Sequence, residues 1–271
     1  MKPAVLAGLL CYRGRQSLND DVAAVLEPLT RERMNILARA VNVLVAPGAL
    51  FRYISEYPGW SWIAPALAAF AAVVVRGLAS APLDSAQANA EMRRILATMP
   101  EETARQAATM MSIVSPEAVA VQFIVGSIIS LFIAWVACSA MLHLLSMTMG
   151  NQRPYRAMFE AVVWAWVPFI LRDLVQAAYI FFSDRLILFP GLSALVAQSA
   201  DRFVNAKSLA FVAASHVDVF HVWNVVLLVW AVAGIVGGSK VRAAVLPLLY
   251  WAVVILLSWA MGAIGAALGG M

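Results

Sequence analysis

Ionisable side chains inside apolar sequence are where chemistry would be sought in this chain. The clearest case is "WAWVPFILRDLVQAAYIFF", Trp164 to Phe182, where Arg172, Asp173 and Gln176 interrupt an otherwise apolar run. A charged side chain at the centre of a bilayer costs at least ~2.5–3.5 kcal/mol, so such residues normally face inward and have partners or a task. At 100° per residue the three share one arc of a helix, with Pro168 one turn earlier. Proline removes the hydrogen bond to the Trp164 carbonyl, leaving an acceptor within reach of a donor such as Arg172. Consecutive residues do not face each other on a helix, so a bridge from Arg172 to Asp173 is a poor one. Each is expected to pair with another span, or with Gln176 and water. The strip reads either as part of an ion or substrate path or as a buried structural network.

Other clusters are weaker. Glu160 and His143 flank a loop with Arg153 and Arg156. A carboxylate near a histidine can do acid–base work, but one paired with arginine at headgroup level is the plainer reading. In "SHVDVFH", Asp218 and His221 share a face while His216 is poorly placed to join them, so the three make a weak metal set. Met92, Met99, Met110 and Met111 have thioethers that suit copper, yet methionine also serves as adaptable filler. No HExxH, GxSxG or Gly-rich phosphate loop occurs. The expectation is therefore no enzyme activity, no cofactor and no metal.

The elements that must position these residues follow from composition. The 271 residues are 63% hydrophobic and 13% charged, about half the charge of soluble chains, which places the protein among polytopic membrane proteins. The net charge of +4 is scattered rather than gathered on one face, which excludes a nucleic-acid surface. The two cysteines, Cys11 and Cys138, make no disulfide framework. Apolar runs near the ~20 residues a bilayer needs fall at about 60–80, 117–148, 157–183, 217–237 and 241–266. The fold class is thus all-α, a bundle of five transmembrane helices. A segment over 1–58 precedes a membrane domain over 59–271.

Within the first segment, Met34, Leu37, Ala38, Val41, Leu44 and Val45 recur at helical spacing, with Thr30 as N-cap. Such an amphipathic helix either lies on the membrane or packs on the bundle. The outer loop between the first two runs reads as two short helices split at Met99-Pro100. Gly234-xxx-Gly238 and Gly265-xxx-Gly269 are small-residue repeats, suited to packing within the bundle or to dimerisation.

Three segments, "VLVAPGALFRYISEYPGWSWIAPAL", "HLLSMTMGNQRPYRAMFEAVVWAWVPFIL" and "HVWNVVLLVWAVAGIVGGSKVRAAVLPLLYWAVVIL", resemble in order the Yip family of Rab-interacting membrane proteins, in its bacterial branch. The first has that family's proline, aromatic, acid (Glu56) and second proline ahead of span one. The short loop carries Gly150-Asn151 where the family often has two glycines, and the pair Arg172-Asp173 is not a family feature. The resemblance implies a non-enzymatic accessory or scaffold protein of the bacterial inner membrane. Its implied partners are lipids and other membrane proteins, an ABC-type exporter among them, with a homo-oligomer compatible. The alternative is a small-solute or ion transporter using the third span's strip. The candidate binding residues are Arg172, Asp173, Gln176, Glu56 and Glu160.

Orientation follows from basic residues. The N-terminal tail and short loops carry Lys2, Arg13, Arg15, Arg31, Arg33, Arg39, Arg52, Arg153, Arg156, Lys240 and Arg242. The opposite loops carry Arg93, Arg94, Arg105, Arg185, Arg202 and Lys207, in longer stretches with more acids. The N-terminus is expected in the cytoplasm and the C-terminus outside. With native cysteines replaced by serine, a cysteine at Glu101 should react with an impermeant maleimide in intact cells and one at Arg153 should not. The reverse pattern would overturn this orientation.

Overall fold

The structure is a computed structural model and describes residues 34–110, 113–198, 205, 207–237 and 239–268. Thr30, Cys11, Met111, Gly238 and Gly269 lie outside the described residues. Every regular element among the described residues is a helix. The chain divides into units Met1–Ala40 and Val41–Met271.

Helix α1 (Ile36–Val45) starts behind Asn35, whose side chain accepts from the Ala38 amide at 2.7 Å. Its residues Leu37, Val41, Leu44 and Val45 are exposed. After a one-residue break, α2 (Pro47–Glu56) opens on Pro47, where a missing N–H costs nothing. It buries Leu50, Phe51 and Ile54.

Among the described residues, four helices are each long and apolar enough to cross a membrane: α3 (Ile63–Thr98), α5 (Pro116–Met147), α9 (Val219–Val236) and α10 (Lys240–Leu268). Three of them have side-chain caps, the Ser239 hydroxyl accepting from the Arg242 amide at the start of α10. The Ser115 hydroxyl accepts from the Ala118 amide and the Asp218 carboxylate from the His221 amide. The first of the two outer-loop helices expected from the sequence does not stand alone. It is the continuation of α3, which runs 36 residues through Pro82, and only α4 (Glu101–Met110) is separate.

The third apolar run differs from the expected single span. It consists of α6 (Tyr155–Ala165) and α7 (Val167–Ser183), parted at Trp166. Pro168 in the first turn of α7 has no N–H for the Trp164 carbonyl, and its ring excludes that carbonyl from a straight helix. A 3₁₀ turn at Ser193–Leu195 and α8 (Leu209–Ser215) follow. Gly191, at φ +58°, lets the Leu192 amide bond the carbonyls of Ala214 and Val217.

Helices α7, α3, α5, α10 and α9 pack in succession, α9 closing back on α7. Helix α6 fills the middle of one end, against α5, α9 and α2. It is buried nearly all round, including Met158, Val163 and Trp164. The two ends of the bundle are distinct. One carries the tight connections at Gly150 and Gly237; the other carries α8.

Gly234 shows what its repeat does within the bundle. A Cβ there would come within 3.0–3.2 Å of the α2 backbone at Phe51 and Arg52. Gly126, on α5, has nothing within 4 Å. Gly234→Ala should lower stability by about 1–3 kcal/mol through overpacking, while Gly126→Ala should be neutral or stabilising by up to ~1 kcal/mol. Thermal melts of the two variants in one detergent check the contrast.

Candidate functional site

Below the break, where α6 ends and α7 swings aside, the ring encloses a cavity of about 360 Å³. Five helices and the segment before α9 line it, with Arg76 from α3, Ser127 from α5, Arg172 and Asp173 from α7, Asn224 from α9 and Tyr250 from α10 among its polar groups. Two of these polar groups come from the first and last apolar runs, 60–80 and 241–266. Arg76 and Tyr250 stand inside those runs and face the same space.

Asp173 is the centre of the charge cluster. Its Oδ1 accepts from Arg76 Nη1 at 3.1 Å and from Arg172 Nη2 and Nε at 3.3 and 3.4 Å. The Asp173 side chain is 11% exposed, against 23% for Arg172 and 31% for Arg76. The bridge between the neighbours Arg172 and Asp173, expected to be poor, does form, because the guanidinium folds back over its own helix. It is longer than the contact to Arg76. Arg172 also lies over the Phe169 ring at 4.6 Å and Arg76 over Phe123 at 5.4 Å, contacts that attract a cation to an aromatic face.

Two further expectations change. Arg172 does not serve the carbonyls freed at the break; Asn224 does, its Nδ2 donating to the Ala165 carbonyl at 2.8 Å. Gln176 does not join the charge cluster. Its Oε1 is buried without a hydrogen-bond partner among the described residues, and of the two expected alternatives Asp173 takes the first, a partner on another helix, in Arg76. Arg76 was the residue missed. Its signal was a lone cation in "AAVVVRGLAS".

The histidines border the same cavity. His221 stacks edge-on with Phe169 at 4.8 Å and its Nδ1 lies 2.8 Å from Asp218 Oδ2. His216 Nδ1 lies 2.9 Å from the Val212 carbonyl, and the two imidazoles are 5.6 Å apart. Burial works to raise the Asp218 carboxyl, but the bonds from the His221 amide and ring and the charges of His221 and Arg172 outweigh it. They hold Asp218 below the ordinary carboxylate range. No group of three metal-binding side chains exists among the described residues.

Glu160 belongs elsewhere. It is fully buried in α6 and accepts from the Gly59 amide and the Ser61 hydroxyl. The same hydroxyl accepts from Trp164 Nε1 at 3.0 Å. Arg156 donates to the Gly59 carbonyl at 3.2 Å and lies 4.8 Å over Trp60. His143 sits with Asn151 and the Tyr155 ring. Glu56, at the end of α2, is exposed and does not line the cavity.

Comparison with known proteins gives one positive finding. The family model described as the Yip1 domain matches residues 41–261. No curated protein and no solved structure matches the chain.

The shared oxygen predicts unequal losses. Asp173→Ala orphans both guanidiniums and should cost most, up to the ~3–5 kcal/mol of a broken buried pair. Arg76→Ala or Arg172→Ala leaves Asp173 with one partner and should cost less. The double arginine variant should lose more than the two singles summed, because the carboxylate is then bare. Denaturation of all four checks this; additive losses would show that the two contacts act independently.

Proposed function

Since the chain belongs to the Yip1 family, we propose that it is a non-enzymatic accessory or scaffold protein that holds another membrane complex. One observation carries the reading. Helices α3 and α5 have 36 and 32 residues, about 54 and 48 Å at 1.5 Å per residue. A bilayer core is only ~30 Å thick, so roughly 20 Å of paired helix projects beyond it. The Asn89 side chain clamps this arm, donating to the Val114 carbonyl at 2.9 Å and accepting from its amide at 3.0 Å. The arm presents Glu91, Arg93, Arg94, Glu101, Glu102 and Arg105 to solvent, a mixed charged surface of the kind that gives register and specificity to a docked protein.

In this reading α6 and α7 together make the third of five crossings. The protein sits in the bacterial inner membrane with its N-terminus in the cytoplasm and its C-terminus outside. The exposed apolar face of α1 rests on lipid. An ABC-type exporter is one complex that such an adaptor would serve.

The second reading is transport of a small solute or ion, which the polar cavity favours. Against it, α6 plugs the other end of the ring with Met158, Val163 and Trp164, all 2% exposed or less.

Replacing residues 90–113 by a short Gly-Ser turn tests the scaffold. The bundle's melting temperature should stay within a few degrees while recovery of co-purifying membrane proteins falls at least tenfold. Undiminished recovery would reject the arm as the contact. Solute flux in proteoliposomes, lost on Arg172→Gln, would favour transport.

A further inference from the structure

We propose that the cavity is a binding site for one phospholipid, taken by its phosphate headgroup from the leaflet at the α8 end. The inference is independent of whether the arm holds a partner.

Charge selects the headgroup. Among the lining residues two guanidiniums share one oxygen of a single carboxylate, which leaves a positive charge unbalanced. Asp218 stands behind His221, engaged with its amide and ring nitrogen, and is not part of the lining. Arg76 keeps 31% of its side chain exposed, so it has donors to offer. Guanidinium groups bind phosphate oxygens in pairs, with charge-assisted bonds roughly twice as strong as neutral ones. His216 and His221 add ring nitrogens at the same wall.

Depth selects the leaflet. Asp173 lies in α7, beyond the break at Trp166 and toward the end that carries α8. The cluster is therefore in the half of the bundle away from the tight loops at Gly150 and Gly237. Trp166, Tyr250 and Trp251 line the cavity as well and give it an amphipathic aromatic wall.

The opening selects a lipid over a soluble ligand. Ser130 on α5 lines the cavity and is exposed, and Leu131, Trp251 and Val254 are half-buried, whereas Asp173 and Asn224 at the back are buried. The mouth therefore lies between α5 and α10, the two spans with the least buried surface in the bundle. Ile133 and Leu248 are exposed on these helices, three residues from Ser130 and Trp251 toward the bilayer centre. They continue the mouth as an apolar track for acyl chains. At about 360 Å³ the space is within the range of small-molecule sites.

The test uses the full chain, purified in a maltoside detergent and stripped of lipid. Phosphatidylglycerol, diacylglycerol and inorganic phosphate are added separately, and melting temperature and native mass spectra are read. Phosphatidylglycerol should raise the melting temperature by several degrees and give a one-lipid adduct. Arg172→Gln should weaken binding at least tenfold. Ser127→Phe, which closes the cavity and leaves all three charges in place, should abolish the adduct at an unchanged lipid-free melting temperature. It keeps the proposal testable where a charge variant fails to fold. An equal shift from diacylglycerol would overturn the role of the phosphate. Displacement of lipid by millimolar inorganic phosphate would overturn the lipid, and an undiminished adduct in Ser127→Phe would overturn the cavity.

Discussion

A buried carboxylate needs donors, and that requirement at Glu160 organises much of the bundle. With no side-chain surface left to water, Glu160 is tolerable only where hydrogen bonds replace hydration. The Gly59 amide and the Ser61 hydroxyl supply them, so the connection before α3 must fold onto α6. Trp164 locks the same serine from the next turn. Helix α6 is thereby held at the centre, and the longer spans have to pass around it. The chain can leave that central position only by breaking, which it does at Trp166.

Leaving the centre creates the second polar layer. A break inside a bundle frees backbone carbonyls that lipid cannot satisfy, and Asn224 reaches across from α9 to take one. The displaced α7 then carries Asp173 against α3, where Arg76 meets it. Two polar layers result, one around Glu160 and one around Asp173. The apolar residues of α6 between them keep the layers apart. The cavity is thus what a half-length central helix leaves beneath it, and its charged wall follows from where α7 must pack.

Sequence foretold these parts unevenly. The limits of the second and fourth apolar runs were legible because a bilayer demands an unbroken apolar stretch. The stretch 117–148 was expected and Pro116–Met147 is observed. Membership of the Yip family was legible for the same reason, since its segments are membrane patterns in a fixed order. Pro168 was visible, but whether a proline kinks a span or divides it depends on donors supplied elsewhere, and Asn224 lies 59 residues from the carbonyl it serves. The partner of Asp173 was hidden similarly, 97 residues away as the lone cation of an otherwise apolar run. The donors of Glu160 were hidden as well, since Gly59 and Ser61 lie 101 and 99 residues away from it, whereas Arg153 and Arg156 are its neighbours in sequence.

The break between α6 and α7 also settles how the backbone contributes to the field in the cavity. A helix carries roughly half a positive charge at its first turn and half a negative one at its last. Here the last turn of α6 and the first turn of α7 are separated by Trp166 alone. Their opposite partial charges meet at one point and largely cancel. The break therefore adds little polarity to the cavity, whose charged wall comes from Arg76, Arg172 and Asp173. The helix terminus that does face it is the first turn of α9, which carries His221.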